Sequence, residues 1–124
     1  MVKKYTIECN EEQLRLLRSA VELQMRVRIG QGWAITENVI PLADERYREL
    51  KDAYDPILDV ICRIVSAKDG FSGYMLELRD ENAATMEIER DMWIGLENGL
   101  GMRKNEIGLS EYGLLKVTKK EDDE

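Results

Sequence analysis

The stretch that decides the fold runs from residue 10 to residue 32 and reads NEEQLRLLRSAVELQMRVRIGQG. Asn10 followed by Gln13 is a variant of the capping box, and Glu11 and Glu12 place negative charge where a helix dipole favours it. The pattern predicts a helix that starts at Glu11. Its apolar side chains cover about half of the circumference at ~100° per residue, which is typical of a central packing element.

Three further helices are expected after the glycines that end the first one. The region 35–40 is interpreted as a linker. A second helix is predicted from Pro41 to Tyr54, where apolar residues recur at helical spacing. Asp55 and Pro56 resemble a cap and first-turn pair, so a third helix is expected to begin there. A fourth is predicted over 82–100, with Met86, Ile88, Met92, Trp93, Leu96 and Leu100 facing inward; its glycines, Gly95 and Gly99, permit close helix contact.

Two segments near the ends of the chain predict strands. Residues 3–9 alternate between apolar and polar, and residues 112–118 are rich in apolar and β-branched types, so the two are expected to pair antiparallel. Residues 73–78 predict either a short strand or a helical continuation. The predicted fold is α+β and mainly helical, with about four helices and a small antiparallel ribbon. It forms one domain over 1–118 and is followed by a flexible acidic tail at 119–124.

Composition limits the classes of function. The 124 residues carry a net charge of -7, which repels phosphate backbones and anionic lipid, so neither duplex nucleic acid nor membrane is an expected partner. A transmembrane helix needs about 18 consecutive apolar residues, and neither such a stretch nor a signal core is present. We therefore expect a cytoplasmic protein.

Catalysis finds little support in the residue types. The chain has no histidine, which excludes Ser-His-Asp, Cys-His and Cys/His zinc schemes. Glu87, Glu89 and Asp91 are interpreted as a solvated helix face, and both Cys9 and Cys62 as buried, reduced thiols. Neither a phosphate-binding glycine loop nor a calcium loop occurs. The sequence predicts a protein that is not an enzyme and has no cofactor or metal.

Binding groups gather at the end of the first helix. Arg26, Arg28, Gln31 and Trp33 combine guanidinium groups, an amide and an indole around a flexible turn. These groups suit phosphate and base recognition. The alternative is structural: Arg26 pairs with Glu22 at i,i+4, Arg28 snorkels at the helix end, and Trp33 is a core anchor.

Two residues elsewhere extend the candidate site. Arg90, on the predicted fourth helix, can hold either a carboxylate or a ligand phosphate. Tyr74 follows Gly73 and offers an aromatic ring beside accessible backbone. Both are included in the ligand-binding hypothesis.

Four stretches carry a resemblance to a known group of proteins: YTIECNEEQLRLL at 5–17, Arg26 with Gly30-Gln31, Gly73-Tyr74, and RDMW at 90–93. Their order and spacing resemble small uncharacterised proteins encoded by phages and prophages of gut bacteria. The resemblance implies an accessory phage protein that acts in the infected bacterium. Such proteins counter host defence by blocking a host protein or by sequestering a nucleotide messenger.

Two hypotheses follow, both without turnover. In the first, Arg26, Arg28 and Arg90 meet the phosphates of a small anionic nucleotide-type ligand, Trp33 and Tyr74 stack on a base, and Gln31 bonds its edge. In the second, the acidic surface docks on a host protein and inhibits it. Broad apolar helix faces favour a homodimer or higher homo-oligomer in either case.

Overall fold

Four α-helices form most of the fold. The computed structural model describes residues 3–67, 78–104 and 107–120. The helices within these ranges are α1 (Glu11–Arg28), α2 (Trp33–Val39), α3 (Tyr47–Ser66) and α4 (Asp80–Gly99). α1 packs mainly against α4, and α2 lies between α1 and α3. The predicted mainly helical class is confirmed, and no helix in the described ranges is both long and apolar enough to cross a membrane.

α1 begins where its local sequence predicts. The backbone N–H of Gln13 donates to Asn10 Oδ1 at 2.8 Å, and the Gln13 side chain accepts from the Asn10 N–H at 2.9 Å. These two bonds complete a capping box. After Ile29 caps the other end, Gly30 takes a φ of 89°, a conformation that residues with a Cβ rarely adopt.

The turn after α1 packs tightly on α3. A Cβ added to Gly32 would lie 2.3 Å from the carbonyl oxygen of Leu58, so only glycine fits there. The backbone N–H of Trp33 then donates to Asp59 Oδ1 at 2.7 Å. These contacts start α2 at Trp33, and the helix then runs through 35–39, so the prediction of a linker over 35–40 is wrong for most of that region.

α3 corrects the prediction of two helices separated at Asp55. One helix runs without a break from Tyr47 to Ser66, with Pro56 inside it. Asp55 does not act as a cap, because its carboxylate pairs with Lys51 at 3.1 Å and accepts a hydrogen bond from Thr36. Tertiary contact with α2 therefore outweighs the loss of the proline N–H.

The predicted antiparallel ribbon is wrong within the part of the chain that the structure describes. Residues 3–9 and 112–118 form no ladder, and the isolated bridge of the described residues joins Ala67 to Leu78. The C-terminal segment instead lies along α4, where the Leu115 N–H approaches the Asp91 carbonyl at 3.4 Å. Of the predicted strand at 73–78, all but Leu78 lies outside the described residues.

α4 also departs from its prediction in what it buries. Ile94 and Leu96 are buried as apolar residues, but Glu89, Asp91 and Glu97 are buried too, so the solvated-face interpretation is wrong for Glu89 and Asp91 and holds for the exposed Glu87. The close approach predicted at its glycines is made to the C-terminal segment. A Cβ at Gly95 would lie 2.1 Å from the Leu115 carbonyl oxygen, and one at Gly99 would lie 2.5 Å from Val117 Cβ.

Candidate ligand cleft beside the first two helices

Three of the predicted site residues, Arg26, Gln31 and Trp33, lie in contact with one another around the Arg26 guanidinium. Its Nη1 donates to Gln31 Oε1 at 2.8 Å, and its guanidinium carbon lies 5.4 Å from the centroid of the Trp33 ring. Its Nε also donates to Glu22 Oε1 at 2.9 Å, so the i,i+4 pair of the alternative interpretation is formed as well. The Arg26 side chain remains 27% exposed, which leaves one side of it open to solvent.

An open cleft of about 250 Å³ lies against this group. Its volume is slightly below the roughly 300–1,000 Å³ of most small-molecule sites, which suits a ligand the size of a mononucleotide better than a large cyclic oligonucleotide. The lining combines two guanidiniums, two carboxylates, an amide, a hydroxyl and an indole: Arg18, Ser19, Glu22, Arg26, Trp33, Ala34, Glu37 and Asn38.

Behind the cleft, three guanidiniums share two carboxylates. Glu22 pairs with Arg26 and, at 3.0 Å, with Arg18. Glu97 accepts from Arg18 and, at 2.5 Å, from Arg103. The five groups carry one positive charge in excess, while the exposed Glu37 at the rim offsets it. An anion that approaches Arg18 and Arg26 therefore meets a locally balanced site rather than the strongly negative field of the whole chain.

The pKa of Glu97 reflects its contacts with Arg18 and Arg103. Burial alone would raise the pKa of Glu97, which is 3% exposed, but hydrogen bonds and positive charge from Arg18 and Arg103 outweigh burial and lower it. Glu97 therefore stays ionised at neutral pH and holds both guanidiniums in place.

Trp93, on α4, contacts two guanidiniums of the same network. Its ring centroid lies 5.9 Å from the guanidinium carbon of Arg26 and 4.9 Å from that of Arg103. Both distances fall within the roughly 6 Å range of a cation–π contact. Arg26 thus lies near two indoles, those of Trp33 and Trp93, and its orientation is restricted.

The sequence analysis missed three residues of this network, Arg18, Glu97 and Arg103, and did not connect Trp93 with Arg26. Arg18 could have been found, because it precedes Glu22 and Arg26 at successive i,i+4 positions on one face of α1. Glu97 could not, because it meets Arg18 across a separation of 79 residues.

Arg28 lies away from the cleft and binds a buried carboxylate of α4. Its Nε donates to Glu89 Oε1 at 2.7 Å and its Nη1 to Asn82 Oδ1 at 2.6 Å. Gln24 donates to the same carboxylate at 2.5 Å. Because Glu89 is 4% exposed, this cluster ties α1 to α4 internally, and Arg28 is not among the residues that line the cleft.

Arg90 also contacts a buried acid. Its Nη1 lies 3.2 Å from Asp91 Oδ1 and donates to the Ile107 carbonyl at 2.7 Å. Asp91 accepts from the backbone N–H groups of Leu109 and Ser110, each at 2.8 Å. Burial alone would raise the pKa of Asp91, but these bonds, led by that of the Ser110 hydroxyl, lower it.

The remaining candidate groups are placed as follows. Tyr74 lies outside the described residues. Cys9 is exposed, contrary to its interpretation as a buried thiol, whereas Cys62 is buried, and burial together with the charge of Asp59 raises the pKa of Cys62. Within the described ranges, no group of three or more carboxylate or thiol side chains is arranged to hold a metal ion.

Comparison of the chain with family models, with curated proteins and with solved structures found no match.

Proposed function

We propose that the chain is a non-enzymatic phage accessory protein that captures a small anionic nucleotide-type ligand in the cleft beside α1 and α2. It would act against host defence in the cytoplasm of an infected bacterium by sequestering that ligand. The observation that carries the proposal is the Arg26 guanidinium held 5.4 Å from the Trp33 ring at an open cleft of about 250 Å³.

The chemistry of the cleft suits a ligand with a phosphate and a planar ring. Arg18 and Arg26 offer charged donors to phosphate oxygens, and charge-assisted hydrogen bonds are stronger than neutral ones. Trp33 offers a stacking surface, worth about 1–3 kcal/mol per base. Because Glu22 already accepts a hydrogen bond from Arg26 and forms an ion pair with Arg18, a ligand phosphate has to share both arginines with that carboxylate. We therefore expect moderate affinity that decreases with salt.

The site residues divide into two roles under this proposal. Arg26 and Trp33 line the cleft and contact the ligand, whereas Gln31 is not among the lining residues and accepts a hydrogen bond from the Arg26 guanidinium. Arg28 and Arg90 act as positioning residues, because their guanidiniums hold Glu89 and Asp91 between α4 and its neighbours. A role for Tyr74 remains a prediction.

Calorimetric titration with AMP as a mononucleotide, ADP-ribose, cyclic dinucleotides and cyclic trinucleotides tests the proposal. The wild-type protein is expected to bind at least one probe, and Arg26→Ala to weaken that binding by tenfold or more. Arg15→Ala is the matched control, because Arg15 lies on the same helix in an exposed pair with Glu11 and should leave the affinity unchanged. Wild-type protein that binds none of the probes would overturn the proposal.

A second candidate is inhibition of a basic host protein by the acidic surface. The observation that favours it is the internal pairing of Arg28 and Arg90 with buried carboxylates in a chain of net charge -7. The expected partner has a basic surface, dissociates as salt rises, and binds Arg26→Ala as tightly as the wild type. Binding that Arg26→Ala abolishes would exclude this candidate.

A further inference from the structure

The outer face of α3 is its more apolar face, and it is open to solvent. The inward side of the helix, towards α2, carries polar contacts such as those of Lys51 and Asp55 with Thr36. On the opposite side, six large apolar side chains are between 44% and 65% exposed: Tyr54, Ile57, Val60, Ile61, Ile64 and Val65. Contiguous exposed apolar patches of this kind mark interaction sites.

The surface area of the chain shows how much of it is uncovered. The accessible surface is 9837 Å², whereas a folded monomer of 14.4 kDa exposes roughly 6,800 Å² by the scaling of area with mass. The excess of roughly 3,000 Å² belongs to the whole chain, of which the outer face of α3 is one part, and an obligate dimer buries at least about 1,000 Å² per partner. The open surface is therefore large enough for a contact of that size.

The spacing of the apolar residues on the outer face of α3 favours packing against α3 of a second copy. Tyr54, Ile57, Ile61 and Ile64 follow each other at intervals of three, four and three residues, the seam by which two helices pack side by side. The six exposed residues include no charged group. Two copies, each with a net charge of -7, can therefore approach at this face without bringing negative side chains against each other.

We propose that the outer face of α3 docks a second copy of this chain in a two-fold contact. In such an isologous interface the same patch serves both subunits, so a face that is apolar and uncharged throughout is complementary to itself. The contact leaves the ligand cleft free, because none of the six side chains is among the residues that line it.

Light scattering after size exclusion tests the proposal with the full chain. The expected mass is twice 14.4 kDa for the wild type and 14.4 kDa for Ile61→Asp, which places a charge in the seam. Leu16→Asp is the control: Leu16 is 71% exposed on α1, and its variant should keep the doubled mass. A monomeric wild type, or an Ile61→Asp variant that remains dimeric with unchanged helix content, would contradict the proposal.

Thiol alkylation provides a second measurement that does not depend on a charged variant folding. In a Cys9→Ser background, the Ile61→Cys thiol should react fast at nanomolar protein and at least tenfold more slowly at high micromolar protein, where the second copy covers it. Cys62, which is buried, serves as the internal control. Protection that does not change with protein concentration would mean that the chain covers its own face, and the proposal would fail.

Discussion

The three buried carboxylates of the described chain all lie on α4, and each contacts at least one arginine. Glu89 contacts Arg28, Asp91 contacts Arg90, and Glu97 contacts both Arg18 and Arg103. Removing one partner from a buried ion pair costs about 3–5 kcal/mol, because the other charge is left without compensation. Individual residues on α4 therefore affect stability more than its modest apolar content suggests.

Glu97 should make stability depend on pH. Its pKa is lowered in the folded state, so its contribution to the free energy of unfolding is complete above the unfolded pKa of about 4.3 and is lost as the pH falls towards the folded value. Urea unfolding between pH 7 and pH 3 should show a steeper loss of stability in the wild type than in Glu97→Gln. Glu11→Gln, at an exposed pair, should follow the wild-type curve. A Glu97→Gln curve parallel to the wild type would contradict the coupling.

Asp91 should control the order of the C-terminal segment. Its carboxylate accepts from Leu109 N–H, from Ser110 N–H and, at 2.5 Å, from the Ser110 hydroxyl. Asp91→Asn keeps the shape but loses the charge and one acceptor, so we expect a loss of about 2–3 kcal/mol in unfolding free energy. Amide exchange at Leu109 and Ser110 should accelerate.

The exposed Glu87→Gln, on the same helix as Asp91, is the control and should exchange like the wild type. Unchanged protection of Leu109 and Ser110 in Asp91→Asn would show that other contacts hold the segment.

At the scale of elements, α3 continues through a local sequence that predicts a helix boundary. Asp55-Pro56 resembles a helix start, yet the helix continues through it for ten further residues, to Ser66. A proline inside a helix removes one backbone hydrogen bond and clashes with the preceding turn, at about 3 kcal/mol or more. The contacts of Asp55 with Lys51 and Thr36 help to offset that cost.

Pro56→Ala should therefore stabilise the protein. The restored hydrogen bond outweighs the extra freedom of the unfolded chain, which costs about 0.4–1 kcal/mol, so we expect a net gain of about 1–3 kcal/mol in chemical denaturation. Pro41→Ala, at an exposed position before α3, should give no gain. A stability loss in Pro56→Ala would mean that the proline starts a helix, as its sequence context predicts.

At the scale of the whole molecule, the chain separates an ionic interior from an apolar outer face. Arg18, Arg26 and Arg28 of α1 are turned towards α4 and the cleft, while isoleucines and valines of α3 face solvent. This differs from the usual small monomer, in which charged side chains are rarely buried. The proposed second copy on the outer face of α3 would cover these apolar side chains in the assembly.

Stability should consequently depend on protein concentration. A subunit that is stabilised by a second copy unfolds at a melting temperature that rises with concentration, because mass action favours the folded dimer. Scanning calorimetry over a hundredfold concentration range should show this rise for the wild type and its absence for Ile61→Asp. A wild-type melting temperature independent of concentration would contradict the subunit contact.

The sequence by itself determined the features that depend on neighbours in the chain. The start of α1 follows from a box closed between Asn10 and Gln13, and the cluster of Arg26 with Gln31 and Trp33 spans eight positions. Interactions over such short separations depend on the local backbone, namely the geometry of α1 and of the turn that follows it, and the local sequence predicts both.

Only the tertiary structure decided which charges are buried and which apolar faces are left open. The sequence predicts that Glu89 is solvated, but in the fold it is buried and bonded to Arg28, which lies 61 positions away. The sequence also predicts that the isoleucines of α3 are core residues, but α2 packs on the other side of that helix and leaves them exposed. The strands fail for the same reason, since a ladder needs a partner at the right place and α4 holds the C-terminal segment instead. Partners far apart in the chain leave no periodic trace, so their effects become visible only in the folded molecule.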